Sequence, residues 1–168
     1  MIYWFFGYPG IGKDYCAHHL ARLGGFISID ADDYLTKSDR KKLLNKTFTK
    51  EERIKKLSRI VSHLKILLKT NSNIAIGDSL PDNKSRKFIL DSFRNNIKLI
   101  LVTSDPEKHK IQMSKREDHF FTAELLEDYI KNNWEEIEVS YIEFQNDNSK
   151  DWEKRLQSLL RNEPFVSG

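Results

Sequence analysis

A short glycine-rich segment near the start of the chain constrains its fold more than any other feature. Residues 7–14 read Gly-Tyr-Pro-Gly-Ile-Gly-Lys-Asp, the pattern of a phosphate-binding P-loop except at Asp14, where Ser or Thr is usual. The apolar run Ile2–Phe6 before it is typical of a buried strand, and residues 14–23 after it lack Pro and Gly, which favours a helix. This order predicts a nucleoside triphosphate site; the alternative is an ordinary strand-turn-helix junction.

The residues of this loop have separate predicted roles. Three glycines would let the backbone turn through positive φ and point its N–H groups at an anion, which the N-terminus of the following helix also attracts. Lys13 would reach the terminal phosphates of ATP. The predicted ATP-binding residues are Gly7, Gly10, Ile11, Gly12, Lys13, Asp14 and Tyr15.

Asp14 stands where the hydroxyl that binds Mg²⁺ is usually found. A carboxylate is also a hard oxygen ligand for Mg²⁺, and the first turn of a helix favours its negative charge. Two interpretations follow: a working kinase with Asp14 in its metal shell, or a degenerate site that binds nucleotide without turnover. The segment resembles the Gly-Lys-Asp loops of animal phosphomevalonate kinases and of a phage deoxynucleotide kinase, which favours the working enzyme.

Short apolar segments alternate with amphipathic helices along the rest of the chain. Thr49 and Glu52 form a predicted capping box at the start of the longest helix, 49–70. The other predicted strands are 26–29, 73–77, 97–102 and 141–144, and the other predicted helices are 84–93, 106–116, one capped by Thr122, and 152–160. This alternation predicts a three-layer α/β fold of the P-loop NTPase type, a five-stranded parallel sheet in the order 2-3-1-4-5 with helices on both faces.

Length and composition set wider limits on the protein. The 168 residues fit one domain, 1–168, with a lid region at about 106–122. The net charge of +3 does not by itself imply nucleic acid. Cys16 has no second cysteine to pair with, and no segment reads as a signal peptide or a membrane span. We therefore expect a cytoplasmic protein with no membrane partner, and the sequence leaves a homodimer open.

Acidic residues follow the second and third predicted strands. Asp30 and Asp32 are two residues apart, so in extended backbone both face the same side. Phosphoryl transfer to a hydroxyl needs a carboxylate that orients the acceptor and takes its proton, and one of the pair would do this while the other holds metal-bound water. Asp78 would hold the metal as a Walker B carboxylate does. The alternatives are helix capping for the pair and an ordinary loop position for Asp78.

A basic segment follows the fourth predicted strand. Lys108, Lys110, Lys115 and Arg116 lie in or next to the helix that begins at Pro106. In a kinase such a segment is a lid that closes over the phosphates and supplies a cation to the transition state, and Arg116 is the catalytic candidate. The alternative is a solvated helix face.

Together, the loop, the acidic pair and the basic segment resemble the compact P-loop small-molecule kinases that include adenylylsulfate, gluconate and shikimate kinases. From residue 48 to 86 the chain is most similar to adenylylsulfate kinases. There Glu52-Arg53 stands for the Asp-Arg that begins the long helix, and Arg59 for an arginine farther along it. Pro81 and Arg86 stand for parts of a Ser-Pro-x-Arg-x-x-Arg segment, in which Leu80 replaces the serine and Asn83 the first arginine.

Residues 116–120, Arg-Glu-Asp-His-Phe, resemble instead the Arg-x-x-His-Phe lid of gluconate kinases, with Gln112 at the position of a preceding arginine. The resemblance implies ATP and Mg²⁺ as cofactors. It also implies binding of an anionic acceptor by arginines, whose guanidinium groups hold phosphate, sulfate and carboxylate through paired hydrogen bonds. The predicted catalytic residues are Lys13, Asp30, Asp32 and Arg116, the predicted acceptor-binding residues are Asp32, Arg53, Arg59 and Arg86, and the predicted metal ligands are Asp14 and Asp78.

The leading hypothesis is thus an ATP-dependent kinase that phosphorylates a hydroxyl of a small anionic metabolite, with nucleotide-linked metabolites as the first candidates. A second is a nucleotide-binding module without catalysis, motivated by Asp14 and Gln112. A third, a polynucleotide 5′-kinase or RNA-binding protein, rests on a basic run that lacks interleaved aromatic residues to stack on bases, so a nucleic-acid partner is not expected. That run comprises Lys37, Arg40, Lys41, Lys42 and Lys46.

Overall fold

The structure is a computed structural model that describes residues 1–70, 73–114, 123–147 and 149–161, with the backbone alone at 112–114 and 123–125. Its strands are β1 (Ile2–Phe6), β2 (Ile27–Asp30), β3 (Ile74–Gly77), β4 (Ile97–Thr103) and β5 (Ile142–Gln145). Its α-helices are α1 (Lys13–Gly24), α2 (Lys37–Leu44), α3 (Lys50–Leu67), α4 (Asn83–Phe93), α5 (Pro106–Ser114), α6 (Ala123–Asn133) and α7 (Trp152–Ser158). Three short 3₁₀ helices cover Ala31–Tyr34, Leu68–Thr70 and Arg94–Asn96.

The five strands form one parallel sheet in the order β2-β3-β1-β4-β5, which confirms the predicted topology. β1 is the central strand and pairs with β3 and β4. Phe5 and Asp30 both lie opposite Gly77, so β1, β2 and β3 end at the same edge of the sheet. Loops at the carboxyl ends of parallel strands are where ligands of such folds bind.

Side chains of β1 alternate between two hydrophobic cores, one on each face of the sheet. Trp4 and Phe6 pack with Leu57 and Ile60 of α3, whereas Phe5 packs on the opposite face with α1 and α7. All five residues of β1 are buried. A strand covered on both faces reads as a continuous apolar run, which is why Ile2–Phe6 is recognisable from sequence.

The observed ends of α3 and β2 can be compared with those that the sequence predicted. Thr49 caps α3 with Glu52 in a reciprocal capping box, as predicted. The extended backbone predicted across Asp30 and Asp32 is wrong, because β2 ends at Asp30 and residues 31–34 form a 3₁₀ helix. Thr122 lies outside the described residues, as does the lid region beyond residue 114. Within the described parts of the chain, no helix has the length and apolar character needed to cross a membrane.

Candidate active site

The P-loop connects β1 to α1 and leaves the start of that helix uncapped. Gly7, Gly10 and Gly12 have φ angles of 155°, 78° and 93°, the positive values that the sequence predicted. Gly12 occupies the N-cap position and offers no side chain to the first helical N–H groups. A Cβ at this position would collide with the amide of Asn146. The first turn of α1 therefore presents free backbone donors and a partial positive charge, the features that bind a phosphate.

Two buried side chains from distant segments hold the loop from behind. His109 of α5 donates a hydrogen bond from Nε2 to the carbonyl oxygen of Pro9 at 2.9 Å. Asn146, which follows β5, donates from Nδ2 to the carbonyl oxygen of Ile11 at 3.0 Å. These contacts fix the carbonyl side of the loop so that its N–H side can face a ligand. Sequence reasoning missed both residues, since nothing in a single histidine or asparagine marks such a partner.

Lys13 and Asp14 follow the loop at the head of α1. The Lys13 residue is 9% exposed, and its Nζ lies 3.9 Å from Oδ2 of Asp14. The Asp14 side chain is 61% exposed and packs over the backbone of Gly77, where a Cβ would overlap its carboxylate. Glycine at the end of β3 therefore leaves room for the carboxylate at position 14, and Asp78 is the next residue of the chain after this glycine.

A lysine that sequence reasoning did not single out lies between the two acidic segments. Lys56 of α3 is buried, with its Nζ 3.1 Å from Oδ1 of Asp78 and 3.7 Å from Oδ1 of Asp32. Asp78 also accepts a hydrogen bond from the backbone N–H of Ser79 at 2.8 Å. A signal for Lys56 exists in the sequence: it is a cation at helical spacing from the apolar residues Ile60 and Leu64 of α3, three residues after Arg53.

Asp32 has a mixed environment. Half of its side chain is exposed, yet the carboxyl lies low enough in the cavity that burial raises its pKa above the ordinary value. The Lys56 ammonium opposes this increase in pKa, and the nearby carboxylates of Asp78 and Asp30 add to it. A carboxyl in such surroundings is a stronger base than one in water.

Asp30 does not share this position. Its Oδ1 accepts a hydrogen bond from the backbone N–H of Asp32 at 2.8 Å and caps the 3₁₀ helix that follows β2. Capping was the alternative interpretation of the acidic pair. Asp30 does not line the cavity, whereas Asp32 does. The structure therefore brings one member of the pair to the site and uses the other to turn the chain.

One cavity joins the P-loop to the ends of β2 and β3 and to helices α3 and α6. The wall of this cavity that carries Phe48, Arg53 and Tyr129 is shared with a neighbouring pocket. That pocket lies between α6, the end of α2 and the start of α3. The first cavity is lined by Pro9, Gly10, Gly12, Lys13, Asp14, Asp32, Leu35, Leu43, Phe48, Arg53, Lys56, Gly77, Asp78, Ser79, Pro81 and Tyr129. The second is lined by Leu43, Lys46, Phe48, Arg53, Asp128, Tyr129, Asn132 and Asn133.

Arg53 and Tyr129 line both cavities. Nη1 of Arg53 lies 2.6 Å from Oδ2 of Asp82, in an ion pair whose side chains are 8% and 0% exposed. The Arg53 guanidinium carbon also lies 5.9 Å from the centre of the Phe48 ring. Burial raises the pKa of Tyr129 to about 12, so its hydroxyl remains a hydrogen-bond donor at neutral pH.

The other two arginines predicted to bind the acceptor lie elsewhere. Arg59 donates to the carbonyl oxygen of Tyr34 and to Asp39, and so connects α3 to the 3₁₀ helix and to the first turn of α2. Arg86 is fully buried and is surrounded by acceptors: the carbonyl oxygens of Leu80, Pro81, Glu135 and Glu136, and Oδ1 of Asn83. The structure thus brings Arg53 to the cavity, and does not bring Arg59 or Arg86 there. Arg116 lies outside the described residues.

The described residues contain no group of three or more His, Cys, Asp or Glu side chains that could hold a metal ion by themselves. Mg²⁺ in nucleotide sites is usually bound by one or two carboxylates together with phosphate oxygens and water, so a complete protein cage is not required. Asp14 and Asp78 flank Gly77 in the cavity and have suitable oxygen donors. Their predicted role as metal ligands stays a prediction.

Several members of the basic run of α2 take part in contacts within the chain. Lys42 forms an ion pair with Glu52, and Lys46 forms one with Asp128 at 2.6 Å. Arg40 donates to the carbonyl oxygen of Asp32 at 2.8 Å. These cations therefore connect α2 to α3 and to the 3₁₀ helix, and the loop after α2 to α6.

The fold of this chain is similar to that of several solved kinases. No protein-family model matches the chain, and no curated protein does. A sugar kinase from a Janibacter species is 20% identical, with a TM-score of 0.77, over 95% of this chain and 91% of that one. A gluconokinase from Sinorhizobium meliloti is 16% identical, with a TM-score of 0.72, over 94% of each chain. The APS kinase of Mycobacterium tuberculosis, solved with AMPPNP and APS, is 16% identical, with a TM-score of 0.66, over 95% of this chain and 94% of that one. The parallel sheet, its strand order and its P-loop therefore give this chain the fold of the compact P-loop small-molecule kinases.

Proposed function

We propose that the protein is an ATP-dependent kinase that transfers the γ-phosphate to a hydroxyl group of a small anionic metabolite. One observation carries this proposal: a single cavity contains the uncapped start of α1, the buried Lys13 and, on another wall, the carboxyl of Asp32. Phosphoryl transfer needs a phosphate cradle, a cation and a base that face the same space, and little further covalent chemistry.

The nucleotide side of the cavity is the P-loop. Its free N–H groups and Lys13 would hold the phosphates of ATP, and the braces from His109 and Asn146 keep the loop in the required shape before ATP binds. Asp14 and Asp78 would hold Mg²⁺ beside them. Bound Mg²⁺ neutralises charge on the phosphate oxygens during transfer.

Asp32 is the residue assigned to the acceptor hydroxyl. Its carboxylate would orient the hydroxyl group and take its proton, and the higher pKa produced by burial makes it a better base for that step. Asp30 has no such role in this proposal, because its carboxylate is engaged with the backbone of the 3₁₀ helix.

The neighbouring pocket is the proposed acceptor site. It combines the cations Lys46 and Arg53, which are paired with Asp128 and Asp82 in this structure, with the rings of Phe48 and Tyr129. These groups suit an anion with a planar part, because arginine binds acidic groups and aromatic rings stack on flat ones. A nucleotide-linked acceptor of the adenylylsulfate type meets both requirements. Gluconate is the second candidate, since gluconokinase is among the structural neighbours.

The test supplies the protein with Mg²⁺-ATP and adenylylsulfate, gluconate or a small-molecule cell extract, and measures ADP formation together with the phosphorylated product by mass spectrometry. The wild type should phosphorylate an acceptor, and Asp32→Asn should reduce kcat by roughly a hundredfold or more, the usual contribution of a general base. Asp33→Asn is the matched control, because Asp33 is an exposed neighbour that does not line the cavity.

Two results would contradict the proposal in different ways. Binding of ATP without transfer to any compound in the extract would indicate a nucleotide-binding module without turnover, the alternative that Asp14 also motivates. Full activity in Asp32→Asn would show that another group is the base.

A further inference from the structure

Lys56 is a buried cation at the centre of the proposed site. Only 5% of the residue is exposed, and its ammonium lies within ion-pair distance of both Asp78 and Asp32. Lys56 comes from the middle of α3, on the face that also carries Leu57 and Ile60 of the hydrophobic core. Helix α3 therefore delivers one positive charge to the wall formed by the ends of β2 and β3.

Stability alone does not account for this lysine. Moving an ammonium group out of water has a large desolvation free energy. Its attraction to nearby carboxylates offsets this penalty but often does not exceed it. Replacing a whole buried ion pair by apolar side chains is often neutral or stabilising, so stability does not explain why Lys56, Asp78 and Asp32 are charged, although removing Lys56 alone would leave the carboxylates without their cation. A reason connected with the charge of the site is therefore needed.

The charge count of the cavity supplies that reason. Three carboxylates line it, and of its three cations Arg53 is already paired with Asp82. Lys13 and Lys56 are left to face Asp14, Asp32 and Asp78, which gives one net negative charge. A loop with the usual neutral hydroxyl at position 14 and a neutral residue at position 56 would have one cation facing two carboxylates, which is the same net charge.

We propose that Lys56 is a charge-balancing and positioning residue that offsets the carboxylate of Asp14, so that a triphosphate can enter a site with one acidic group more than usual. The inference rests on the proposed function, because it assumes that a polyphosphate binds beside Lys13. Lys56 acts by neutralising Asp78 and Asp32, which it contacts. Asp14 lines the same cavity and packs against Gly77, the residue that precedes Asp78 in the chain. The two unusual residues of the site thus form a compensating set, although they belong to different helices.

The experiment measures ATP affinity by calorimetry in excess EDTA, where ligation of Mg²⁺ by Asp14 plays no part and only charge and shape matter. Four proteins are compared: the wild type, Lys56→Met, Asp14→Ser and the double variant. Lys56→Met should weaken ATP binding about tenfold, a change of about 1.4 kcal/mol. Adding Asp14→Ser should return the affinity to within about threefold of the wild type, because the net charge is then restored.

Two controls separate charge from shape. Lys55→Met removes the same charge from the adjacent, exposed position of α3 and should change ATP affinity less than about twofold, since exposed charges are screened. Lys56→Arg keeps the charge and should bind ATP nearly as the wild type does. Circular dichroism and urea unfolding of each variant establish that the folded protein is being titrated.

The inference is overturned if the double variant binds ATP as weakly as Lys56→Met does, since Lys56 would then act through local structure. It is also overturned if Lys56→Met binds ATP as tightly as the wild type. Because the measurement involves no turnover, a protein that binds ATP but transfers no phosphate would contradict the proposed kinase activity and leave this result unaffected.

Discussion

Replacing Arg53 by Met should destabilise the protein strongly, because it leaves the carboxylate of Asp82 buried without its cation. Asp82 is 0% exposed, and among the described residues its oxygens would keep the hydrogen bonds from the backbone N–H and the hydroxyl of Ser85 alone. Breaking one side of a buried ion pair costs about 3–5 kcal/mol. The two remaining hydrogen bonds place the expected loss of unfolding free energy near the lower limit, about 3 kcal/mol.

Urea unfolding followed by far-UV circular dichroism measures this loss directly. For a chain of this length, about 3 kcal/mol corresponds to a fall in Tm of roughly 6–12 °C. The matched control is Lys84→Met, which removes a cation 3.5 Å from Glu51 in a pair whose side chains are both well exposed. This control should leave the unfolding free energy almost unchanged, because exposed pairs contribute little.

A double variant identifies the source of the effect. Arg53→Met combined with Asp82→Asn removes the unpaired charge and should recover part of the lost stability, as expected for residues in direct contact. If Arg53→Met costs less than about 1 kcal/mol, the reasoning from burial is refuted, and the guanidinium is free to serve the acceptor. A large increase in KM for the acceptor without loss of stability would support that binding role instead.

Three further predictions concern the nucleotide site and the predicted lid, and a fourth concerns the buried core residue Cys16. Lys13→Ala should remove most ATP affinity and leave the fold intact, as checked by calorimetry and circular dichroism; unchanged affinity would place the nucleotide elsewhere. Asp14→Ala should weaken Mg²⁺-dependent ATP binding, whereas Asp14→Ser should retain much of it. ATP is titrated with and without Mg²⁺. The kinase proposal loses its basis if the wild type binds ATP equally well in the two conditions and Asp14→Ala binds it more tightly than the wild type in both. Arg116→Ala should lower kcat by roughly a hundredfold or more, as expected when a group that stabilises transition-state charge is lost, and an effect confined to KM would argue against that role. Burial and, to a smaller extent, the charge of Asp14 raise the pKa of the Cys16 thiol to about 12. At pH 8, Cys16 of the folded protein should therefore react with a disulfide reagent at least about a hundredfold more slowly than Cys16 of the protein unfolded in urea. Rapid labelling of the folded protein would contradict the burial of this thiol.

Much of the fold could be predicted because its signals are local. A strand buried on both faces is a short apolar run, and a helix start is marked by a cap such as Thr49 with Glu52 three residues later. The right-handed rule for parallel crossovers then restricts the strand order, which the structure confirms as 2-3-1-4-5. The glycines and Lys13 of the P-loop were recognisable because the loop is continuous in sequence.

The site beyond that loop was predictable only in part, because its roles depend on partners that are distant in sequence. The separate roles of Asp30 and Asp32 depend on where β2 ends, and propensity does not determine a strand end to within one residue. Arg86 resembles a binding arginine in sequence, yet its guanidinium is satisfied by carbonyl oxygens up to 50 residues away.

Lys56 is the clearest example of a role that depends on partners distant in sequence. It meets Asp78, 22 residues later, only because α3 packs over the strands that carry the acidic residues to one edge of the sheet. The sequence alone therefore determined the elements, their order and the phosphate loop, since each depends on neighbouring residues. Only the tertiary structure decided which charges are paired, which are buried and which face the cavity, because electrostatic energy depends on distance in space and on the water excluded between groups.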